Sequence, residues 1–382
     1  MTDQPDVVVI GGGIVGAAGA YYLAMAGVRV RVVERDFAAS GTSRACDGLI
    51  LFSDKTSAAE LALAKVSVGL WAELAETLEA DFGYASTGTL VLHETEEGLA
   101  AGQRKVAELQ PAGVRAEIVD ATGLRGLEPN LAPDLAGAVY YLDEAQVDSR
   151  AATLAMLDAA QRLGATLQAG TELTGVRLGA EGRVVAVTTK QGEIPAAAVV
   201  CAAGVWSNEI ARSVGIELPV QPRKGHILVT ARAPDLIAHP MLEGSYAASV
   251  QSAAEGVQVA LVAEMTSGGT VLLGSSREFV GFDRSVSPAV VQAIAARAVR
   301  FLPRLAQTSI IRSYAGLRPW SPDHLPLVGP VEGVPGLYLA TGHEGAGIGL
   351  APVTGQIIAD WVVGGRAPAL AEAVRPGRFA GC

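Results

Sequence analysis

The chain has 382 residues, half of them hydrophobic and 18% charged, with a formal net charge of −10. Such a composition suits a folded α/β protein of roughly two domains at about 150 residues each. With no run of Lys or Arg it excludes a nucleic-acid partner, because affinity for polyanions rests on phosphate neutralisation. The cysteines Cys46, Cys201 and Cys382 are far apart and form no C-x-x-C pair. They provide no thiol set for a metal, a cluster or a redox dithiol, and imply a reducing, cytoplasmic compartment. Peripheral attachment to the inner face of a membrane stays open.

Taken in chain order, residues 6–10 (DVVVI) form a β-branched run of the kind buried on both faces of a parallel sheet. Glycines follow, then a helical run from Ile14 to Ala26, Gly27 as a stop, and VRVRVVE as a second strand. Val7 to Val28 carries no charge and is long enough to span a membrane. Its crowd of glycines and the acidic Asp3 and Asp6 before it argue instead for a buried strand, turn and helix. Leu61, Leu63, Val66, Leu70, Trp71, Leu74 and Leu78 give Ala58–Asp81 the pattern of an amphipathic helix.

From Gly83 short strand-like runs appear (TGTLVLHE, VRAEIVD, GAVYYLDEAQV), and helical periodicity resumes at Asp148. A series of strands ends in the buried run AAAVVCAAG. Further strands and the helix Pro288–Phe301 occupy 222–312, and a Gly/Pro-rich stretch and a last helix from Pro352 close the chain. The alternation predicts an α/β protein: a discontinuous, Rossmann-like nucleotide domain (1–84, 146–221 and 313–382) and an inserted α+β substrate domain on a largely antiparallel sheet (85–145 and 222–312).

Gly11, Gly13 and Gly16 satisfy G-x-G-x-x-G between a strand and the helix opened by Ile14 and Val15. In that setting the first glycine permits the turn, the second lets a pyrophosphate approach, and the third lets helix pack on strand. Glu34, ending the second strand, is placed to accept from a ribose and would repel a 2′-phosphate, which disfavours NADP. The following RDFAASGTSRACDG, rich in small and hydroxyl residues, fits a ligand extending further along the protein, as FAD does.

Four stretches, VVVIGGGIVGAAGAYYLAMAGVRVRVVER, VVCAAGVWSNEIA, YAGLRPWSPDHLPLVG and TGHEGAGIGLAPVTG with its helix, together resemble the D-amino-acid oxidase superfamily of FAD-dependent amine oxidoreductases, which includes glycine and sarcosine oxidases. RACDGLILFSDK and GTVLLGSSREFVGFD look most like β subunits of heteromeric dehydrogenases acting on D-hydroxyproline, proline or opines. The resemblance implies hydride transfer from a substrate carbon to FAD, giving an imine that water hydrolyses, with further redox centres on partner subunits. It also allows an FMN at a subunit interface.

By the same resemblance, Gly11, Gly13, Ile14, Val15, Gly16, Glu34 and Arg35 would hold the ADP half, and Val176 would meet the adenine through its backbone. Thr42, Ser43, Arg44, Ala45, Cys46 and Gly48 would contact the phosphates or the flavin edge, and Ala203, Gly204 and Trp206 would pass close to the dinucleotide. Gly345, Ala346, Gly347, Ile348, Gly349 and Leu350 would cover the pyrimidine end of the flavin. Arg318 would clamp a substrate carboxylate, as a planar guanidinium does bidentately. Glu344, Tyr246 and Glu264 are further substrate-side candidates. Asp54, Lys55 and His226 are polar groups whose place the sequence does not fix. Pro319, Trp320 and Ser321, in a region where some relatives carry a flavin-linking cysteine, imply a non-covalent FAD. HEGAG lacks the second histidine of a zinc helix, so no metal is expected. The alternatives are a stand-alone oxidase releasing peroxide and a non-catalytic FAD-binding assembly subunit.

Overall fold

A computed structural model describes residues 5–252, 256–366 and 368–379; Asp3 and Cys382 lie outside them. The β-branched strand Val7–Ile10 sits inside a six-stranded sheet ordered Leu327–Pro330, Leu337–Thr341, Ala198–Cys201, Val7–Ile10, Val30–Val33, Thr166–Gln168. Every neighbouring pair is parallel except Leu327–Pro330 with Leu337–Thr341. The beginning, middle and end of the chain therefore supply one sheet, and a parallel sheet must be covered on both faces. Val7 and Val9 point into a core with helices Ile14–Met25, Ser149–Arg162 and Gly347–Gly364. Val8 and Ile10 face the opposite core, shared with the small antiparallel sheet Leu173–Leu178, Val184–Thr189 and Gly192–Pro195.

Helix Ala58–Thr77 starts from Ser57, whose Oγ accepts the Glu60 N–H at 3.1 Å. It buries Leu61, Leu63, Leu70, Trp71 and Leu74, while Val66, expected on that face, is exposed and Ser67 takes the buried position. The last helix begins at Gly347, five residues before Pro352, so that proline lies inside it. A proline cannot donate to the carbonyl four residues earlier. Here the Trp71 indole N–H donates instead to the Ile348 carbonyl at 3.1 Å, and Ser67 Oγ accepts from the Val353 N–H at 3.4 Å. The helix also meets Ile14–Met25 closely at Gly355, where a Cβ would lie 2.7 Å from the Ala18 backbone. The segment Glu344–Gly364 is long and apolar enough to cross a membrane, but half of it is buried within the fold.

The second large sheet has eight strands, ordered Ile310–Trp320, Gln221–Thr230, Val271–Arg277, Gln258–Met265, Met241–Glu243, Thr89–His93, Gly137–Tyr141, Ala116–Asp120. All its pairs are antiparallel except Met241–Glu243 with Thr89–His93. Helix Pro288–Phe301 covers it with Val290, Ile294, Ala298 and Phe301. Helices Glu96–Leu109 and Ala121–Leu127 lie among the strands of 83–145. Each buries a single residue fully, Leu109 or Leu124, so neither contributes a large face to the core. Strand Ile310–Trp320 pairs along its length with Gln221–Thr230, setting Arg318 opposite Arg223 and Gly316 opposite Gly225.

Candidate active site

The first strand ends at a turn in which the three glycines do different work. Gly11 has φ +106, and a Cβ there would lie 2.6 Å from the Ala202 carbonyl oxygen. At Gly16 a Cβ would lie 2.0 Å from the Gly11 carbonyl oxygen, so helix and strand pack only because it is absent. Gly13 is different: a Cβ would meet only Ser43 Oγ, at 3.1 Å, and the residue lines an elongated cleft. The turn is held by Glu34, whose carboxylate accepts the Gly12 N–H at 2.8 Å and the Asp36 N–H at 3.0 Å, and by Ser43 Oγ, which accepts the Ile14 N–H at 2.9 Å. The N-cap residue of helix Ile14–Met25, Gly13, has no side chain, and beyond the Ile14 N–H held by Ser43 no side chain closes this helix end. Its partial positive charge is thus directed to a ligand in the cleft.

Ile14, Val15, Glu34, Arg35, Thr42, Ser43, Cys46, Ala203, Gly204 and Trp206 share that cleft with Gly11 and Gly13. Arg35 lies 3.8 Å above the Trp206 ring, a cation–π contact that closes one wall. Thr42 Oγ1 donates to the Leu317 carbonyl at 2.6 Å, tying this wall to the strand that carries Arg318. Burial, and then the Asp47 charge, push the Cys46 thiol up to about 12, so it is not a thiolate nucleophile.

Several expectations for the cofactor side need correction. Val176 does not line the cleft: its N–H donates to Ser213 Oγ at 3.0 Å, and Glu172 and Leu173 of the same segment form the wall. Arg44 is exposed over the Phe37 ring, and the Ala45 carbonyl packs on Gly316. Gly16 and Gly48 act through packing; a Cβ at Gly48 would strike the Val147 carbonyl. Of the late turn, Gly345, Gly347 and Ile348 line the cleft, whereas Ala346, Gly349 and Leu350 line a smaller cavity behind it. Gly347–Leu350 form the uncapped first turn of a helix rather than a loop.

At the other end of the cleft stand Arg318, Tyr246, Glu344 and Asp47. Arg318 crosses the face of Gly225, where a Cβ would lie 2.1 Å from Nη1, and this nitrogen donates to the Ser276 carbonyl at 2.9 Å. Arg277 lies 4.6 Å above the Tyr246 ring and donates to Ser249 Oγ at 2.8 Å and Ser275 Oγ at 3.1 Å. Neither arginine makes an ion pair among the described residues. Burial and the Arg277 charge hold Arg318 below its ordinary value, a strain that an anionic ligand relieves.

The two acids expected to bind substrate are otherwise engaged. Glu344, at a left-handed φ of 47, pairs with Arg223 at 2.5 Å and with His324 Nδ1 at 3.1 Å. Burial opposes its charge, but His324 and Arg223 outweigh burial and leave its carboxyl below the usual range. Glu264 lies behind the cleft wall, where it accepts the Gly48 N–H at 2.8 Å; burial pushes it up to about 8. Asp54 and Lys55 form a buried pair at 2.9 Å behind the cleft, and His226 Nδ1 is 3.0 Å from Ser276 Oγ. Asp47, missed from the sequence, takes the place beside Arg318. Its signal was an acid inside a Gly/Ser-rich loop already assigned to the flavin. Arg223 and Arg277 gave none, because a buried arginine cannot be told from a solvated one by pattern.

The cleft is continuous from the glycine turn to Arg318, both of which line it. It runs from the N-terminal end of helix Ile14–Met25 and the Glu34 carboxylate to the half-buried Arg318, and the open face of Gly13 admits a phosphate, so the residues fit a dinucleotide such as FAD. Among the described residues no group of His, Cys, Asp and Glu could hold a metal ion.

Fold and cleft together define a dinucleotide-dependent enzyme of the two-domain flavoprotein type. The chain belongs to the DAO family of FAD-dependent oxidoreductases, whose model matches residues 6–361. It is 32% identical over 367 residues to the bifunctional protein ThiO/ThiG of Nostoc sp., covering 94% of this chain and about half (52%) of that protein's length. It superposes on the crystal structure of glycine oxidase from Geobacillus kaustophilus with a TM-score of 0.89, at 30% identity, over the whole of both chains. L-proline dehydrogenase from P. horikoshii gives a TM-score of 0.89 at 25% identity, covering 99% of this chain and 98% of that one.

Proposed function

We propose that the protein oxidises a carboxylate-bearing amine or amino acid at its CH–NH or CH–NH2 bond. The observation that carries this reading is Arg318: a half-buried guanidinium with no carboxylate ion pair, anchored by one nitrogen and facing the cleft beyond the glycine turn. When bound, FAD supplies the acceptor for the hydride of the substrate carbon. In this reading Gly11, Gly13, Glu34 and Ser43 fix the ADP half. Gly345, Gly347 and Ile348 present the positive end of the last helix to the flavin, and Arg318 holds the carboxylate so that the Cα–H is aimed at it. Glu344 acts indirectly, keeping Arg223 neutralised beside the site. The residues of 1–84, 146–220 and 321–382 form the cofactor domain and the remainder the substrate domain, because strand Ile310–Trp320, expected in the cofactor domain from 313 on, pairs with Gln221–Thr230 in the antiparallel sheet.

Two readings of the electron acceptor differ in what they draw on. Similarity to glycine oxidase over the whole chain supports a stand-alone oxidase. Similarity to L-proline dehydrogenase supports a dehydrogenase subunit that passes electrons to a partner. A second flavin is not part of the proposal, and a cytoplasmic location belongs to it as an inference from the cysteines.

The test is anaerobic addition of glycine, sarcosine, proline, D-hydroxyproline or an opine to the FAD-loaded protein, followed by flavin absorbance. Bleaching by at least one is expected, and none by any of them would end the proposal. Peroxide release in air at the rate of bleaching assigns the oxidase, and reduction of an artificial dye without peroxide assigns the dehydrogenase.

A further inference from the structure

We propose that Asp47 receives the ammonium group of the substrate and takes its proton, and that this proton leaves through Asp54 to a second, outer cavity. This rests on the amine-oxidising reading above.

Asp47 lines the cleft with Arg318 and Tyr246, yet forms no ion pair with Arg318 or Arg277. An anion and a cation therefore face each other across open space, which matches the ammonium and carboxylate of an amino acid. The other acids of the cleft are unsuited to that role. Glu344 is held by Arg223 and His324, and Glu34 by the glycine turn. Glu172 follows Thr171, whose N–H donates to the Glu34 carbonyl at 2.9 Å, and Glu209 stands on helix Ser207–Arg212 just after Trp206, which Arg35 covers, so both lie at the same end as Glu34. The charged and titratable groups around Asp47 are Arg318, Arg277, Tyr246, Cys46, Glu264 and Tyr314. Burial raises the affinity of Asp47 for a proton, and the two arginines limit that rise.

Chemistry requires such a group. An ammonium nitrogen has no lone pair, so the C=N bond forms only after a proton leaves. Asp47 carboxylate takes H⁺ from the ammonium and becomes a carboxylic acid. The Cα–H then departs with its two electrons to FAD, the nitrogen lone pair forms the C=N bond, and the product is an iminium ion. Carbon is oxidised, the flavin is reduced, and one proton remains on Asp47.

The structure offers that proton a path. Asp47 and Tyr246 also line an enclosed cavity, with room for about one water, whose far wall is Asp54 and Lys55. Asp54 in turn lines the outer cavity together with His93, Glu94 and Lys105. Lys55 holds Asp54 at 2.9 Å and Glu60 at 3.2 Å, which fixes the relay carboxylate between the two cavities. Asp54 is thus a positioning and relay residue rather than a substrate contact.

The experiment uses the FAD-loaded protein and two probes of equal shape, followed by flavin absorbance. 2-Aminoisobutyrate has no Cα–H and is not oxidised; pivalate carries a methyl in place of its ammonium. Wild-type protein is expected to bind 2-aminoisobutyrate at least tenfold more tightly than pivalate. Asp47→Asn is expected to lose at least tenfold for 2-aminoisobutyrate and to keep its pivalate affinity. Asp54→Asn should leave both affinities unchanged while slowing anaerobic reduction by the substrate and enlarging its solvent deuterium isotope effect. Equal binding of the two probes by wild type, or an equal change in both for Asp47→Asn, overturns the role of Asp47. An unaltered reduction rate and isotope effect in Asp54→Asn overturns the exit path. Flavin bleaching by an amino acid without discrimination between the probes sinks Asp47 and leaves the amine reading standing; no bleaching by any amine sinks both.

Discussion

At Gly13 the molecule offers a separation of cofactor binding from folding. Gly13→Ala places a methyl 3.1 Å from Ser43 Oγ, a contact a small shift relieves, but the methyl stands where a phosphate must approach. We expect at least a tenfold weaker FAD Kd, read by titration of the stripped protein, with the apoprotein melting temperature little changed. Gly16→Ala, whose methyl would sit 2.0 Å from the Gly11 carbonyl oxygen, should instead lower the melting temperature of the apoprotein. Unchanged FAD affinity in Gly13→Ala would contradict the assignment. At this scale the sequence was most informative where one residue type answers one need. Gly11, Gly13, Glu34 and Arg318 line the cleft. Glu264 and Glu344 were misplaced because a carboxylate's role depends on which partners the fold brings to it, here Gly48, Arg223 and His324, which lie far away in sequence.

Among the elements, the last helix shows how a local defect is corrected at long range. Pro352 leaves the Ile348 carbonyl without its helical donor, and the fully buried Trp71 supplies one from another helix. Trp71→Phe should therefore destabilise the protein by about 1–3 kcal/mol, the cost of an unmet buried acceptor. Urea unfolding measures it, and a loss below about 0.5 kcal/mol would show that the bond is dispensable. From sequence, proline marked the start of this helix; the compensation by Trp71 was invisible because it joins residues 277 positions apart. The helices Glu96–Leu109 and Ala121–Leu127 were missed because the strand-like runs around them dominated that segment: the first carries an apolar repeat in Leu99, Val106 and Leu109 that was overlooked, and the second, seven residues long, is too short to show one. The central βαβ unit was legible from its β-branched, fully buried strand and the glycine turn that follows it, and the helix Pro288–Phe301 because burial on a fixed face imposes a repeat on the residues themselves.

The whole molecule carries buried titratable groups whose effects on stability oppose one another. Burial pushes Glu264 up to about 8 and Glu144 up to about 7, so each keeps a proton in the fold that the unfolded chain releases above about pH 4.5. Their contribution is present at low pH and is lost as pH rises to 7–8. Burial holds His343 down at about 3, so the unfolded chain binds a proton below about pH 6.5 that the fold refuses, and stability from this group falls as pH drops. The two effects oppose each other between 4.5 and 6.5 and separate above it. Stability should thus decline from pH 6.5 to 8, and Glu264→Gln should flatten that decline in thermal or urea unfolding. An unchanged slope in Glu264→Gln would show that its carboxyl is ionised in the fold.

The central claim is that Arg318 binds the carboxylate of an amine substrate, and the most direct test compares anaerobic flavin reduction in wild type and Arg318→Ala. Each is given the amino acid that bleaches the wild-type flavin and the matching amine without its carboxylate. The account predicts fast reduction of wild type by the amino acid only, and a loss in Arg318→Ala of about 3–5 kcal/mol in kcat/KM, the cost of removing one partner of a buried pair. Reduction of Arg318→Ala at the wild-type rate, or equal reduction of wild type by both compounds, would contradict it.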